Sequence, residues 1–97
     1  MPKVTASLTG DGQWLQYWAP AGGKFGINIG DGWTGTLRLQ RSIDNGANWY
    51  PIGTYDSTAA PLADSGEEPG PQQPVLYRLG FDTGDHSGGT APVEMYP

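Results

Sequence analysis

Apolar and polar positions alternate with a period of two through several stretches of this chain. Leu37 and Leu39 alternate with Thr36, Arg38 and Gln40, the pattern of a strand with one buried face. Asp44-Asn45-Gly46 follows, three residues that tolerate positive φ or bond their own backbone through the side chain. Trp49, Tyr50 and Ile52 then begin a return strand expected to reach Tyr55. This hairpin, residues 36–52, is the clearest prediction in the chain. Phe25, Ile27 and Ile29 share a face opposite Lys24, Gly26 and Asn28. Val75, Tyr77, Leu79 and Phe81 oppose Leu76, Arg78 and Gly80, and Val4, Ala6 and Leu8 mark a short first strand. Residues 13–19 are rich in aromatic strand formers but alternate less cleanly, which predicts cover on both faces.

Turns punctuate these segments at roughly 8–12-residue spacing, which predicts about seven or eight short strands and almost no helix. The fold class expected is all-β: one small antiparallel β-sandwich or barrel-like domain spanning residues 1–97. Residues 84–89 read as a Gly-rich loop. Residues 90–96 read as a last strand at a sheet edge, because Pro92 limits pairing. Residues 56–74 break the pattern: Pro61, Pro69, Pro71 and Pro74 exclude a central strand over most of it and leave room only for a short edge strand near 58–62. The stretch predicts a long loop, either a solvated connection or an arm that orders against a neighbour.

Composition narrows the function. The chain has 97 residues, with sixteen Gly and nine Pro, enough for one modest core. Four Trp, five Tyr and two Phe argue against disorder, since a solvated chain has no need of so much aromatic surface. Ten acidic residues against five basic ones give a formal net charge of −5, and Lys3, Lys24, Arg38, Arg41 and Arg78 are scattered. Nucleic-acid phosphates would repel such a chain. No apolar run approaches the roughly 20 residues of a membrane span, and the first residues lack the apolar core of a secretory leader. With no cysteine, thiolate metal sites are excluded.

Candidate chemistry is sparse. His86 is the single histidine, flanked by Asp85 and Ser87, but adjacent residues cannot supply the convergent geometry of a triad. Gly10-Asp11-Gly12 and Gly30-Asp31-Gly32 offer one carboxylate each, too few for the six to eight oxygens, on the order expected, around calcium. No catalytic residue, metal or cofactor is therefore expected. Arg78 and Arg41 sit among apolar residues, either snorkelling or paired with a carboxylate such as Asp44 or Asp82. Trp14, Tyr17, Trp18, Trp33, Trp49 and Tyr50 offer a sugar-stacking platform, or else the aromatic core of a chain poor in aliphatic residues.

Ser42-x-Asp44-x-Gly46-x-x-Trp49 resembles the Asp-box, a hairpin motif repeated in sialidase propellers and found singly in other β-proteins. The resemblance implies that the Ser and Asp side chains bond the turn while the aromatic packs beneath it. It implies no chemistry, and a propeller of about four to eight four-stranded blades does not fit in this chain.

A wider likeness covers residues 32–79. Gly32-Trp-Thr-Gly-Thr-Leu-Arg-Leu-Gln-Arg-Ser-Ile-Asp-Asn-Gly-Ala-Asn-Trp49, followed after a variable loop by Pro74-Val-Leu-Tyr-Arg-Leu79, resembles small all-β virion proteins of tailed bacteriophages. What that implies is a non-enzymatic virion structural protein, made in the host cytoplasm and bound to the capsid surface as a decoration, or cement, protein. The implied partners are the major capsid protein and further copies of the chain, with a trimer as one arrangement; neither nucleic acid nor membrane is among them. Candidate contacts are Trp33 and, in the long loop, Glu67, Glu68, Pro69 and Pro71. The competing expectation is a carbohydrate-binding sandwich, or a tail or neck accessory protein, contacting host-surface glycans.

Overall fold

A computed structural model describes residues 3–19, 23–67 and 75–97. In chain order its strands are β1 (Val4–Leu8), β2 (Trp14–Ala19), β3 (Lys24–Ile29), β4 (Trp33–Ser42), β5 (Tyr50–Asp56), β6 (Leu62–Glu67), β7 (Val75–Gly80), β8 (His86–Gly89) and β9 (Ala91–Tyr96). They form two antiparallel sheets, ordered β1-β9-β3-β6 and β2-β7-β4-β5, with β8 on the start of β4. The all-β sandwich expected from the alternation is what forms. Its interior is made by alternate residues of β1, β2, β3, β4, β7 and β9, among them Leu15, Tyr17, Phe25, Ile27, Leu37 and Leu79, with Tyr55 and Leu62 packed against it.

The predicted hairpin is β4 and β5, with Leu37 opposite Tyr55 and Leu39 opposite Gly53. Beyond Leu39 the register shifts at a bulge, which bends and twists β5 locally. Strand β2 alternates more cleanly than expected: Leu15, Tyr17 and Ala19 are buried, while Gln16 and Trp18 face outward.

Three expectations are corrected. Residues 56–74 are not all loop. Asp56 caps a 3-10 turn at Ser57–Ala59 through Thr58 N, and β6 then pairs along the full length of β3. The segment Leu-Ala-Asp-Ser-Gly-Glu is polar because it is an edge strand, shaped more by its partner than by its own propensity. Residues 68–74, with Glu68, Pro69 and Pro71, lie outside the described residues. The Gly-rich stretch after Gly84 becomes β8 through pairing with Trp33 and Thr34. Strand β9, expected at an edge, runs between β1 and β3.

Pro92 survives in that central strand because its missing donor is replaced. Gly30 N donates to Pro92 O at 2.8 Å, so the two residues face each other as a hydrogen-bonded pair, and the return bond to Gly30 O has no proline N–H to make it. The indole Nε1 of Trp33 donates to Gly30 O instead, at 2.6 Å. This is why Trp33, expected as a partner contact, is 7% exposed and belongs to the core: its ring packs edge-on against Phe81, and its one polar atom completes the ladder.

Candidate functional site: the β4–β5 turn and the open side of the sandwich

The turn that joins β4 to β5 is organised by two side chains. Ser42 Oγ accepts from Gly46 N at 2.8 Å and from Asp44 N at 3.4 Å, and donates to Asp44 Oδ1 at 2.8 Å. Asp44 in turn accepts from Asn48 N at 2.9 Å and from Asn48 Nδ2 at 2.7 Å. These bonds favour the carboxylate form, and the two from Asn48 chiefly hold the Asp44 pKa down at about 2. Asn45 and Gly46 take φ of 62° and 92°, the left-handed geometry that favours Asn and Gly. Ser42 and Asp44 therefore both bond the turn backbone, and Asn48 adds a tie that the sequence did not reveal.

The turn lies over the outer face of the β2-β7-β4-β5 sheet. A Cβ on Gly46 would stand 3.6 Å from both Leu76 Cδ2 and Trp49 Cζ2, and Leu76 is 5% exposed although it points away from the main core. Beside it, the Arg78 guanidinium is clamped between two indoles, 3.8 Å from the Trp14 ring centre and 4.2 Å from that of Trp49. Arg78 Nε also donates to Gln40 Oε1 at 2.8 Å. Burial pulls the Arg78 pKa down, while the charge of Asp82 pushes it up. So Arg78 neither snorkels freely nor pairs with Asp44; it is the filling of a cation–π stack. Trp14 and Trp49 bracket it from positions 35 residues apart in sequence.

At the opposite margin the two sheets leave an open side, bounded by the edge strands β5 and β6. The groove between them has a volume of about 430 Å³ and a floor of Phe25, Ile27, Leu39 and Tyr77. Residues 52–55 form one rim and residues 64–67 the other. Tyr55 Oη donates to Asp64 Oδ2 at 2.8 Å and spans the gap; burial and that carboxylate both push the Tyr55 pKa up. Toward the β4–β5 turn the surface stays apolar: Ile43, Tyr50 and Ile52 are 58%, 50% and 52% exposed. Glu67, a predicted contact, stands exposed on the β6 rim.

The six aromatic residues offered as a sugar platform or an aromatic core are spread over several surroundings. Tyr17 and Trp33 are interior, and Trp14 and Trp49 present ring faces to Arg78. Trp18 and Tyr50, both exposed, belong to β2 and β5, the two opposite edges of their sheet. His86 has a structural setting: its ring packs edge-on against Phe81 and its Nε2 lies 2.8 Å from Gly89 O. Asp11 ties down the same loop by accepting from Gly84 N and His86 N, each at 2.9 Å, bonds that lower its pKa. Asp85 is engaged in a bidentate pair with Arg38. Among the described residues, no three His, Cys, Asp or Glu side chains gather as a metal site.

No family model matches this chain, and neither the curated proteins nor the solved structures contain a significant relative.

Proposed function

We propose that this chain is a non-enzymatic virion structural protein of the capsid-decoration type, which binds the outer surface of a phage head and stabilises it through protein–protein contacts. The observation that carries the reading to a surface is the open side of the sandwich. A groove lined by apolar residues together with Arg41 lies between β5 and β6, which end their sheets among the described residues and there turn one row of backbone groups outward. That combination suits an extended segment of the major capsid protein: main-chain bonds along an edge give affinity, and alternate apolar side chains enter the groove. The resemblance over residues 32–79 supplies the virion context. Bound copies bridge neighbouring capsid subunits and stabilise the shell by mass action. Self-association follows the symmetry of the lattice.

The test is reconstitution on purified heads of the source phage stripped of this protein. Wild type is expected to bind saturably and to raise the temperature at which the heads rupture. Ile52→Glu and Thr54→Arg alter the β5 rim at exposed or half-exposed positions and should abolish binding while leaving the melting temperature of the free domain nearly unchanged. Retained binding by both variants moves the contact elsewhere, and wild type that binds no head refutes the decoration reading. Glycan binding is left with Trp18, 43% exposed, as its best surface; a saturable change in Trp fluorescence on titration with oligosaccharides, abolished by Trp18→Ala, would establish it instead.

A further inference from the structure

We infer that Asn45-Gly46 is a latent self-modification site that the Asp-box holds shut. Asn is a thermally labile residue, and a following Gly offers no Cβ to hinder attack by its backbone nitrogen. In that reaction the Gly46 N gives up its proton and bonds to the Asn45 side-chain carbonyl carbon. The side-chain amide C–N bond breaks and ammonia leaves. Water then opens the resulting five-membered imide at either of its carbonyls, so the product is aspartate or isoaspartate. One water is consumed, one ammonia is released, and no oxidant or cofactor takes part.

The folded turn opposes the first step in three ways. Gly46 N is committed as donor to Ser42 Oγ at 2.8 Å, and Ser42 is 1% exposed, so the proton that must leave points into the protein. Gly46 is half-buried, and Leu76 and Trp49 stand 3.6 Å from where a Cβ on it would lie, which limits distortion of the turn on that side. Asn45 is held at φ 62° by a turn braced through Asp44 and Asn48. Asn45 itself is exposed, so only the backbone wiring stands between the pair and cyclisation. Attack therefore proceeds through local opening of the turn. It is also one-way. Isoaspartate lengthens the backbone within the turn, and aspartate places a new charge one residue from Asp44, so the modified chain re-forms the Asp-box less well. This inference does not depend on what the protein binds.

The experiment follows the amide-to-acid mass increase by intact-mass and peptide mass spectrometry at mildly alkaline pH and 37 °C. Folded wild type should stay intact over the interval in which the same chain in urea is converted at Asn45. Ser42→Ala, folded, should convert about tenfold faster than wild type or more, because it loses the bond to Gly46 N and frees the turn to open. Ile29→Val is a destabilised control in the other sheet and should remain slow. Asp44→Ala, which frees the turn through Asn48 instead, should be fast and gives the answer where Ser42→Ala does not fold. Folded wild type converting at the urea rate, or both turn variants converting no faster than Ile29→Val, overturns the inference.

Discussion

Replacing Arg78 with Ala tests whether the outer face of the β2-β7-β4-β5 sheet is a stabilising layer or only a decorated surface. The guanidinium lies 3.8 Å and 4.2 Å from two indole centres, in a half-buried site. Cation–π contacts in such settings contribute about 0.5–1 kcal/mol each. The neutral-acceptor bond from Arg78 Nε to Gln40 adds about 1 kcal/mol, so the full loss is about 2–3 kcal/mol. For a chain of this size each kcal/mol shifts the melting point by about 4–8 °C, which places the Arg78→Ala variant roughly 10–20 °C below wild type. Arg78→Lys keeps the charge but not the planar stack, and should lose about half as much. Thermal melts followed by circular dichroism give the single-variant values. A double-mutant cycle with Trp49→Ala should return a coupling of about 0.5–1 kcal/mol. An Arg78→Ala protein melting within about 2 °C of wild type, or a coupling near zero, refutes the stack as a source of stability.

Two further outcomes follow from the hydrogen-bond pattern. Asp44 has its pKa lowered from 3.8 to about 2, so its contribution to stability is complete above about pH 4 and is lost as the pH falls through about 2. Asp11 and Glu94 are lowered too and act with the same sign. Urea midpoints measured from pH 5 to pH 2 should therefore fall, and Asp44→Asn should make the decline shallower; an unchanged slope removes Asp44 from the account. Trp33→Phe leaves Gly30 O without its donor and should cost about 1–3 kcal/mol. The same change should cost less in a Pro92→Ala background, where a backbone N–H returns to the ladder; equal costs in the two backgrounds would refute the substitution of indole for amide.

What the sequence revealed was local. The β4–β5 hairpin was readable because its apolar period, its turn residues and its Ser-x-Asp-x-Gly-x-x-Trp pattern all lie within 17 consecutive positions, 36–52. Strands β3 and β7 were readable from alternation alone. Strand β6 was not, because Leu62–Glu67 carries little apolar signal and exists through pairing with β3. Strand β8 likewise owes its form to Trp33 and Thr34 on β4. Pro92 pointed to an edge, and only the position of Trp33 reverses that argument. The Arg78 stack needed two tryptophans brought together by β2 and the β4–β5 turn, and nothing in the spacing of positions 14, 49 and 78 announces it. The groove was hidden for a related reason: it opens only where β5 and β6 end their sheets, over Phe25, Ile27, Leu39 and Tyr77, which read as core residues and remain so.

Strand β9 lies between β1 and β3, and this has a consequence for how the protein comes into being. A chain emerging from its N-terminus presents β1 and β3 long before residues 91–96 exist. Until those residues arrive the first sheet has no middle, and its two early strands have only each other, or β6, to pair with. Closure across so long a stretch of chain is entropically costly and slow. The nascent protein therefore waits with apolar strand faces uncovered, and the half-built sheet is open to pairing with other nascent chains. The β4–β5 hairpin, complete by residue 56, is the element best placed to form during that wait, and the first sheet closes only when residues 91–96 take their place between β1 and β3.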